Sequence, residues 1–564
     1  MTKKQDGSAV QNAAELIVRN LEAHGTKHVF GIPGAKIDRL FEALEDSPIE
    51  TIAVRHEQNA AFIAAGIGRL TGKAGVALVT SGPGVSNLTT GLATATSEGD
   101  PVLAIGGAVG RADLVKLTHQ SMDTVSMLRP VTKYSVEIGA PEATSEIITN
   151  AFRAAESGRP GASFVSVPMD VLSLPAPQRV LTPCVVPKTG PAPEDYINEA
   201  VVALKKAKKP VILLGMLAST PENAEAVRHF AAHTGMAVVG SYQAAGAISH
   251  ELLPQFGGRV GLFHNQHGDH LLNEADLILA IGYNAIEYDP VLWNLKADRP
   301  LINVDVVPAQ IDNAFAPTCE LVGDIAQTLT HLERKVGKIG LAPDLSKILE
   351  DYRADLKRSF AEAKSHHKGM LHPLEIVKTL EAFIQQDITL CLDMGSFHIW
   401  LARYLHAFRA RQILMTNGQQ TMGVGLPWAM AASIVNPSQK VISVSGDGGF
   451  MMSSMDLETA VRLKSNIIHL IWVDHHYNMV KIQEEKKYGR EAAVSFGDID
   501  FALYAQSFGA KGINVTSVHE LKQALHDAMD VEGPVVIAIP VDYTDNHKLL
   551  EPLPALGGSP KASA

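Results

Sequence analysis

The sequence predicts an α/β protein built from three doubly wound parallel-sheet domains. Two patterns favour this fold class. Short runs of aliphatic and β-branched residues alternate with longer stretches of helical periodicity along the 564 residues. The runs also fall into three sets, separated by a proline-rich segment and by a charged helical stretch. With 46% hydrophobic residues, the chain is long enough to bury several separate cores.

The first set of strands predicts a domain over residues 1–185, with strands at 28–30, 51–55, 76–80, 101–105 and 163–167. Six prolines between residues 174 and 193 predict a domain boundary there. A second domain, 192–340, is predicted from strands at 210–215, 236–240, 277–281 and 301–304. Residues 341–372 are charged and predict a helical linker.

The third domain is predicted over residues 373–550, with strands at 388–392, 413–415, 441–444, 467–473 and 535–539. The tail, 551–564, is rich in Pro, Gly, Ser and Ala, and we expect it to be flexible.

Composition excludes several classes of protein. The chain has 49 Lys+Arg against 60 Asp+Glu and a net charge of -11, which disfavours nucleic acid and anionic membranes as partners. Cys184, Cys319 and Cys391 are far apart and lack metal-type spacing, as expected for a reducing cytoplasm. The N-terminus is polar, and no apolar run reaches the roughly 18 residues of a membrane helix. We therefore expect a cytoplasmic protein.

The most informative motif predicts a site for a metal ion and a diphosphate. Gly446, Asp447, Gly448 and Gly449 follow the strand at 441–444, and glycines let backbone amides approach a phosphate closely. The strand at 467–473 delivers Asp474 to the same sheet edge, so that two carboxylates can share one hard cation. Alone, Gly-Asp-Gly is an ordinary turn; the second carboxylate favours the cofactor interpretation.

A second candidate pocket lies in the first domain. Glu57 ends a predicted strand and opens a helix at the carboxyl edge of the sheet, where active sites of open sheets lie. It is also a residue that the helix dipole favours in a first turn. The glycine-rich turn at 81–84 and Asn87 follow a neighbouring strand, which favours a shared crevice.

Together, the edge at 55–57, the turn at 81–84 and the paired carboxylates resemble the thiamine-diphosphate enzymes. Almost end to end, the blocks at 33–38, 119–123, 395–400, 417–423 and 477–483 resemble the catabolic, FAD-independent acetolactate synthases. The resemblance implies a pyrimidine-binding domain, a central domain and a diphosphate-binding domain, in that order. It also implies a homo-oligomer, expected as a dimer of dimers, whose active sites lie between subunits.

The resemblance also implies roles for individual residues. Glu57 hydrogen-bonds N1′ of the aminopyrimidine, and Met422 supports the V-shaped cofactor. Asp447, Asp474 and the main-chain carbonyl of His476 hold Mg²⁺. Gln120 and Gln483, with Gln420, hydrogen-bond near the reacting carbons. The other matched cofactor positions are Gly34, Ser81, Asn87, Met394, Ser396, His398, Gly446, Gly448, Gly449, Tyr477, Asn478 and Met479.

Three side chains near these positions have simpler interpretations. We expect the rings of His475 and His476 to point outward, because only a backbone oxygen is required from His476. Lys36 is a weaker candidate for attracting the pyruvate carboxylate, and a solvated surface lysine is the favoured interpretation.

The activity implied by the resemblance is acetolactate synthesis. Pyruvate is decarboxylated on thiamine diphosphate, and the hydroxyethyl enamine condenses with a second pyruvate to give 2-acetolactate and CO₂, which feeds acetoin and butanediol formation. FAD-containing acetohydroxyacid synthases, which work with a regulatory subunit, are the nearest alternative; Gln483 argues against them because those relatives carry tryptophan there. Neither FAD nor a regulatory subunit is therefore expected, and the central blocks 258–261 and 281–283 are interpreted as remnants of a nucleotide site.

Three further alternatives remain at this stage. Pyruvate oxidase is disfavoured by the same reasoning about flavin. A non-catalytic scaffold is disfavoured because Glu57, Gln120, Asp447 and Asp474 are all retained. A nicotinamide dehydrogenase needs a Gly-x-Gly-x-x-Gly turn at a strand end, and the sequence offers no convincing example.

Overall fold

A computed structural model describes residues 12–177, 179–181, 183, 186–296, 298–384 and 387–553. The chain divides into two compact units. The first comprises Met1–Pro187 with the short segments Met430–Val435 and Glu458–Arg462. The second comprises Lys188–Ala429, Asn436–Leu457 and Leu463–Ala564.

The first unit contains a six-stranded parallel sheet of order β2-β1-β3-β4-β6-β5. Its inner strands β3, β4 and β6 are buried along their whole length, which is why apolar residues predominate in them. The strands are β1 His28–Ile32, β2 Glu50–Ala53, β3 Gly75–Val79, β4 Val102–Ala108, β5 Tyr134–Glu137 and β6 Ala162–Pro168. The helices are α1 Ala13–Ala23, α2 Asp38–Glu45, α3 Glu57–Thr71, α4 Pro83–Ser86, α5 Thr89–Glu98, α6 Thr124–Leu128, α7 Thr144–Glu156 and α8 Met169–Leu172.

The second unit contains two such sheets. The central one has the order β12-β11-β10-β7-β8-β9 and is parallel throughout. Its strands are β7 Pro210–Leu214, β8 Ala237–Ser241, β9 Phe256–Val260, β10 Leu277–Ile281, β11 Leu301–Asp305 and β12 Cys319–Val322. Its helices are α9 Glu194–Lys206, α10 Pro221–Thr234, α11 His267–Glu274, α12 Pro290–Asn294 and α13 Ile325–Val336. The stretch predicted as a helical linker contains the 20-residue helix α14, Pro343–Glu362.

The third sheet is parallel with the order β14-β13-β15-β16-β18-β17. Its strands are β13 Thr389–Leu392, β14 Ile413–Leu414, β15 Val441–Gly446, β16 Ile467–Val473, β17 Lys511–Asn514 and β18 Val535–Pro540. The helices of this part of the chain are α15 Pro373–Ile384, α16 Ser396–Tyr404, α17 Gly425–Val435, α18 Asp447–Phe450, α19 Leu457–Arg462, α20 Asn478–Tyr488, α21 Phe501–Ser507 and α22 Val518–Met529. Most of α17 and of α19 falls in the two short segments that belong to the first unit. Three parallel sheets flanked by helices confirm the predicted fold class.

The strands that sequence patterns miss are all sheet edges: β5, β9, β12 and β17. In β5 and β17, whose residues are all described, none is fully buried. β12 alternates between buried and half-buried positions, and β9 carries two glycines and an arginine. β5, β12 and β17 are covered less completely than the inner strands, so they lack the apolar run by which inner strands are recognised. β9 is buried throughout, and its glycines and arginine interrupt the apolar run instead.

The structure bears in part on the predictions for the cysteines, the tail and the membrane. Cys319 and Cys391 are buried free thiols, whereas Cys184 lies outside the described residues. Most of the tail predicted at 551–564 also lies outside them. Within the described chain, no helix combines the length and apolarity needed to cross a bilayer. The predicted domain boundaries stay predictions.

Candidate active site

Four of the predicted site residues follow neighbouring strands of the first unit. Gly34 follows β1, Glu57 begins α3 after β2, Ser81 follows β3, and Gln120 lies beyond β4. These strands are adjacent in the sheet, and the strand order reverses between β1 and β3. The carboxyl ends of strands at such a reversal open a crevice that binds ligands in α/β proteins.

Glu57 is almost fully buried, with 8% of its surface exposed. Asn87 Nδ2 donates to Glu57 Oε2 at 2.9 Å. His56 caps the helix by accepting the Gln58 amide on Nδ1 at 3.1 Å, which fixes the start of α3. Gly84 faces the carboxyl group, and a Cβ built there would lie 3.6 Å from Oε1. A carboxyl group sheltered from water and oriented by an amide is suited to exchange a proton with a ring nitrogen.

Gln120 is joined to the same edge by Ser81. Ser81 Oγ donates to Gln120 Oε1 at 2.7 Å. Gln120 has a φ of 62°, in the left-handed region that residues other than glycine seldom adopt. Such strained backbone, which costs about 1–3 kcal/mol, clusters at functional sites. The structure therefore brings Asn87 beside Glu57, as their strand-end positions predict, and it also brings Ser81 together with Gln120.

A cavity of about 210 Å³ lies at the carboxyl edge of the third sheet. Its walls come from the ends of β14, β13, β15, β16 and β18, which are consecutive neighbours in that sheet. Sequence-predicted residues form most of the lining: Met394, Ser396, Gln420, Met422, Gly446, Asp447, Gly448, Gly449, Asp474, His476, Tyr477, Asn478 and Met479. The diphosphate half of the predicted site is thus assembled within the second unit.

Two of the glycines lie very close to neighbouring side chains. A Cβ on Gly448 would lie 2.6 Å from Cε1 of Tyr477, closer than real Cβ atoms come to a neighbour. A Cβ on Gly449 would lie 3.0 Å from Oδ2 of the buried Asp393. The glycines therefore let the turn after β15 pack closely against Tyr477 of the cavity lining and against Asp393.

Asp447 and Asp474 form an acidic pair, of which Asp447 is buried and Asp474 half-buried. Asp447 Oδ2 accepts the amides of Asp474 at 3.0 Å and His475 at 2.7 Å, while its Oδ1 accepts the Gly448 amide at 2.9 Å. Burial raises the pKa of Asp447. Burial, and after it repulsion from Asp447, raises the pKa of Asp474 to about 7. Two carboxylates that are costly to ionise side by side fit a divalent cation, whose charge would compensate both.

The two histidines after Asp474 differ in orientation. His475 Nε2 lies 3.2 Å from Oδ1 of the highly exposed Asp498, so this ring points outward as expected. His476 is half-buried; its Nδ1 contacts the Asp474 carbonyl at 2.6 Å, and its Nε2 lies 3.2 Å from Lys481 Nζ. The His476 ring is thus held by neighbours at the rim of the cavity.

Comparison with known proteins agrees with this geometry. Models of the thiamine pyrophosphate enzymes match the N-terminal TPP binding domain over residues 11–127, the central domain over 197–332 and the C-terminal TPP binding domain over 393–539. The chain is 54% identical over 543 residues to "Acetolactate synthase, catabolic" of Raoultella terrigena, covering 96% of each chain. It is 48% identical over 548 residues to "Acetolactate synthase" of Bacillus subtilis (strain 168), covering 97% of this chain and 96% of that one.

The chain belongs to the acetolactate synthase family. A more distant member, "Acetolactate synthase isozyme 2 large subunit" of Escherichia coli (strain K12), is 28% identical and covers 95% of this chain. The predicted membership of the thiamine-diphosphate enzymes, and of their catabolic acetolactate synthase branch, is confirmed.

Not every residue with a predicted role lines this cavity. Among the described residues, those outside the lining include His398, Gln483 and Lys36. His398 is fully buried and packs edge-on against Tyr242, with ring centroids 5.7 Å apart. Neither of its ring nitrogens has a hydrogen-bond partner among the described residues, and burial lowers its pKa to about 4. His398 is not among the residues that line the cavity, so its predicted contact with a diphosphate stays a prediction.

Gln483 and Lys36 occupy more open positions. Gln483 is exposed on α20, one turn beyond the lining residue Met479. Lys36 is half-buried in the turn between β1 and α2. Their predicted roles toward pyruvate stay predictions.

Sequence patterns missed Asp393 and Tyr543. Asp393 is fully buried directly after β13 and accepts the amides of Met394 at 2.8 Å and Gly423 at 2.7 Å, as well as Ser445 Oγ at 2.9 Å. Burial raises its pKa to about 6. Tyr543 lines the cavity after β18. The signal that could have found these residues is the one used for Asp474, a polar residue just beyond the end of an inner strand.

Proposed function

We propose that this protein condenses two molecules of pyruvate into 2-acetolactate with release of CO₂, feeding acetoin and butanediol formation. The observation that carries the proposal is the residue set at two sheet edges, Glu57 with Asn87 and Asp447 with Asp474, in a chain 54% identical over nearly its full length to a catabolic acetolactate synthase. When bound, thiamine diphosphate supplies an electron sink for decarboxylating a 2-oxo acid.

Different residues of the cavity would hold the metal ion and the diphosphate. Asp447, Asp474 and the main-chain carbonyl of His476 would hold Mg²⁺, an ion that prefers oxygen ligands in octahedral geometry. The backbone at Gly448 and Gly449 and the hydroxyl of Ser396, at the start of α16, would contact the diphosphate. The proposal of Mg²⁺ is supported by the raised pKa values of the acidic pair.

The reacting end of the cavity would be kept apolar. Met394 is buried in the lining, and Met422 and Met479 lie beside it. Such side chains exclude water, which favours loss of CO₂ from a carboxylate and protects the bound two-carbon unit from protonation to acetaldehyde. Glu57 would hold and move one proton at N1′ of the aminopyrimidine. Gln120 and Gln483 would donate uncharged hydrogen bonds to pyruvate.

We further propose a homo-oligomer, expected as a dimer of dimers, in which a second copy completes each site. Two exposed surfaces support this. None of the residues of α20, all of them described, is buried, and its Val480 is 48% exposed beside the cavity. In the first unit, Val115 and Leu117 are almost fully exposed in the segment that carries Gln120. Exposed apolar side chains grouped at a site are typical of a protein interface. Sedimentation velocity of the purified protein tests this: a monomer that turns over pyruvate would contradict it.

We also propose that the protein binds neither FAD nor a regulatory subunit. Glu287, fully buried at the carboxyl edge of the central sheet, supports the first point. Its Oε2 accepts the Met216 amide at 2.8 Å and Ser241 Oγ at 2.5 Å, after β7 and at the end of β8. The strand order of this sheet reverses between β7 and β10, where phosphates of dinucleotides usually bind. The Glu287 carboxylate already accepts hydrogen bonds from the Met216 amide and Ser241 Oγ, so these donors are not available to a phosphate.

The deciding experiment incubates the purified protein with pyruvate, with and without thiamine diphosphate and Mg²⁺, and identifies the products. We expect acetolactate and CO₂ only when both cofactors are present. The same preparation is examined for visible absorption: a yellow, flavin-type spectrum would contradict the FAD-independent assignment and favour the biosynthetic branch. A cytoplasmic location stays a proposal, tested by cell fractionation.

A further inference from the structure

A line of hydrogen bonds connects a buried indole to one carboxylate of the acidic pair. Trp400 Nε1 donates to Asn546 Oδ1 at 2.7 Å. Asn546 Nδ2 donates to Asn478 Oδ1 at 2.5 Å, and Asn478 Nδ2 donates to Asp474 Oδ2 at 2.6 Å. Ser396 Oγ also donates to Asn478 Oδ1, at 2.8 Å. We call Trp400, Asn546, Asn478 and Asp474 the amide relay.

The chemistry of the two end groups, the Trp400 indole and the Asp474 carboxylate, determines which atom donates in each hydrogen bond of the amide relay. The indole nitrogen of Trp400 can only donate, so Asn546 must present its oxygen there and its NH₂ to Asn478. The oxygen of Asn478 then faces two donors, which leaves its NH₂ for Asp474. An ionised carboxylate can only accept, so the last hydrogen bond has the correct polarity without any choice of amide orientation.

The far end of the amide relay is rigidly anchored. Asn546 is buried in a 3₁₀ turn, Thr544–Leu550, and Trp400 is buried on α16, where it stacks on Tyr404 with ring centroids 5.6 Å apart. Asn265 of the central sheet's domain donates to the Leu549 carbonyl at 2.7 Å and so holds the turn in place. The turn follows β18 and lies far from Asp474 in the sequence, yet it sets the environment of that carboxylate.

We propose that Asn546 is a positioning residue for the metal site and acts on Asp474 through Asn478. Without the Asn546 donor, only Ser396 Oγ still faces the Asn478 oxygen, and a hydroxyl can accept as well as donate. The Asn478 amide can then rotate and present its oxygen to Asp474, which places two acceptors against each other and turns the carboxylate. Groups that orient a metal ligand from behind typically change metal affinity by about 10- to 100-fold when removed. The inference rests on the proposed function, because Asp474 must be a metal ligand for it to hold.

The test measures Mn²⁺ binding by electron paramagnetic resonance on protein stripped of metal and resupplied with thiamine diphosphate. Asn546→Leu keeps the number and branching of the side-chain heavy atoms but removes both hydrogen bonds, and we expect it to weaken Mn²⁺ binding about 10- to 100-fold. His547→Ala changes the neighbouring exposed residue of the same turn and should bind Mn²⁺ like the unmodified protein. Far-UV circular dichroism and thermal unfolding establish that each variant is folded.

A double-mutant cycle separates the amide relay from general packing. If Asn546 acts through Asn478, adding Asn546→Leu to Asn478→Ala should change Mn²⁺ affinity by less than about twofold. Independent, multiplying effects of the two substitutions would overturn the proposal, as would an Asn546→Leu protein that binds Mn²⁺ normally. Should Asn546→Leu fail to fold, Trp400→Phe replaces it: that change frees the Asn546 amide to rotate, and normal Mn²⁺ affinity in this variant would overturn the proposal equally.

Failure of the proposed function gives a different result. In that case the unmodified protein itself would show no Mn²⁺ site that depends on thiamine diphosphate. A normal site in the unmodified protein together with a normal site in the Asn546 variant would reject only the positioning role.

Discussion

Replacing Asp474 by Asn should remove most of the pH dependence of metal binding between pH 6 and 8. Burial and repulsion from Asp447 raise the pKa of Asp474 to about 7. Metal ions bind the ionised carboxylate, so below this pKa a proton competes with the metal. The side chain of Asn cannot take up that proton, and its oxygen can still accept the hydrogen bond that Asn478 donates to Asp474 Oδ2.

The size of the effect follows from the pKa. One pH unit below it, about a tenth of the Asp474 side chains are ionised, so the apparent affinity for metal is about tenfold weaker than above the pKa, equivalent to roughly 1.4 kcal/mol. Aspartate should therefore bind metal more tightly than asparagine at pH 8, and this advantage should shrink about tenfold at pH 6. Titration of the diphosphate itself affects both proteins alike and cancels in the ratio.

The assay is Mn²⁺ binding in the presence of thiamine diphosphate, measured at pH 6, 7 and 8 for the unmodified protein and for Asp474→Asn. Asp498→Asn is the matched control, because it removes a highly exposed carboxylate beside His475. Its affinity should follow that of the unmodified protein at each pH. If the ratio of affinities between the unmodified protein and Asp474→Asn stayed constant from pH 8 to pH 6, the reasoning would be refuted.

Three further outcomes are expected. Glu57→Gln should slow exchange of the C2 proton of bound thiamine diphosphate about 10²- to 10⁴-fold, because Gln cannot take up and return a proton. The exchange rate is measured by NMR after quenching, and exchange at the normal rate would contradict the role of Glu57. Gly448→Ala should weaken thiamine diphosphate binding by about 1–3 kcal/mol, because the new Cβ would collide with Tyr477. Gly497→Ala should leave binding unchanged, because the space around its Cβ is open. Calorimetric titration measures thiamine diphosphate binding to both variants. Met394→Gln should admit water and raise acetaldehyde relative to acetolactate, and Met394→Leu should not; equal product ratios in the two variants would argue against an apolar wall at this position.

How far sequence patterns predict this fold depends on where each strand lies in its sheet. The inner strands, such as β4 and β16, were recognised because strands that are buried on both faces consist mostly of apolar residues. The edge strand β17 was missed because exposed Lys511 and Asn514 begin and end it. Its pairing with β18 depends on the backbone of its neighbour, which no local pattern of side chains reveals.

The same distinction applies to the candidate site. Asp447, Asp474 and Glu57 could be located from the sequence, because each follows an apolar run and parallel strands end at a common edge. Asp393 was missed although it follows β13 directly, since its role depends on donors from Gly423 and Ser445, which are distant in the sequence.

The sequence by itself determined the fold class, the family and the chemical groups available at each strand end. These could be recognised because apolar runs, and the polar residues that follow them, are short local patterns. Tertiary structure alone decided how those groups are oriented and charged. The pKa of Asp474 rises because folding shelters it from water beside Asp447, and its hydrogen bond from Asn478 has one direction because folding places Asn546 against Trp400. Hydrogen bonds and electrostatic repulsion act between atoms that meet only in the folded chain, so their outcome depends on distances that the order of residues does not contain.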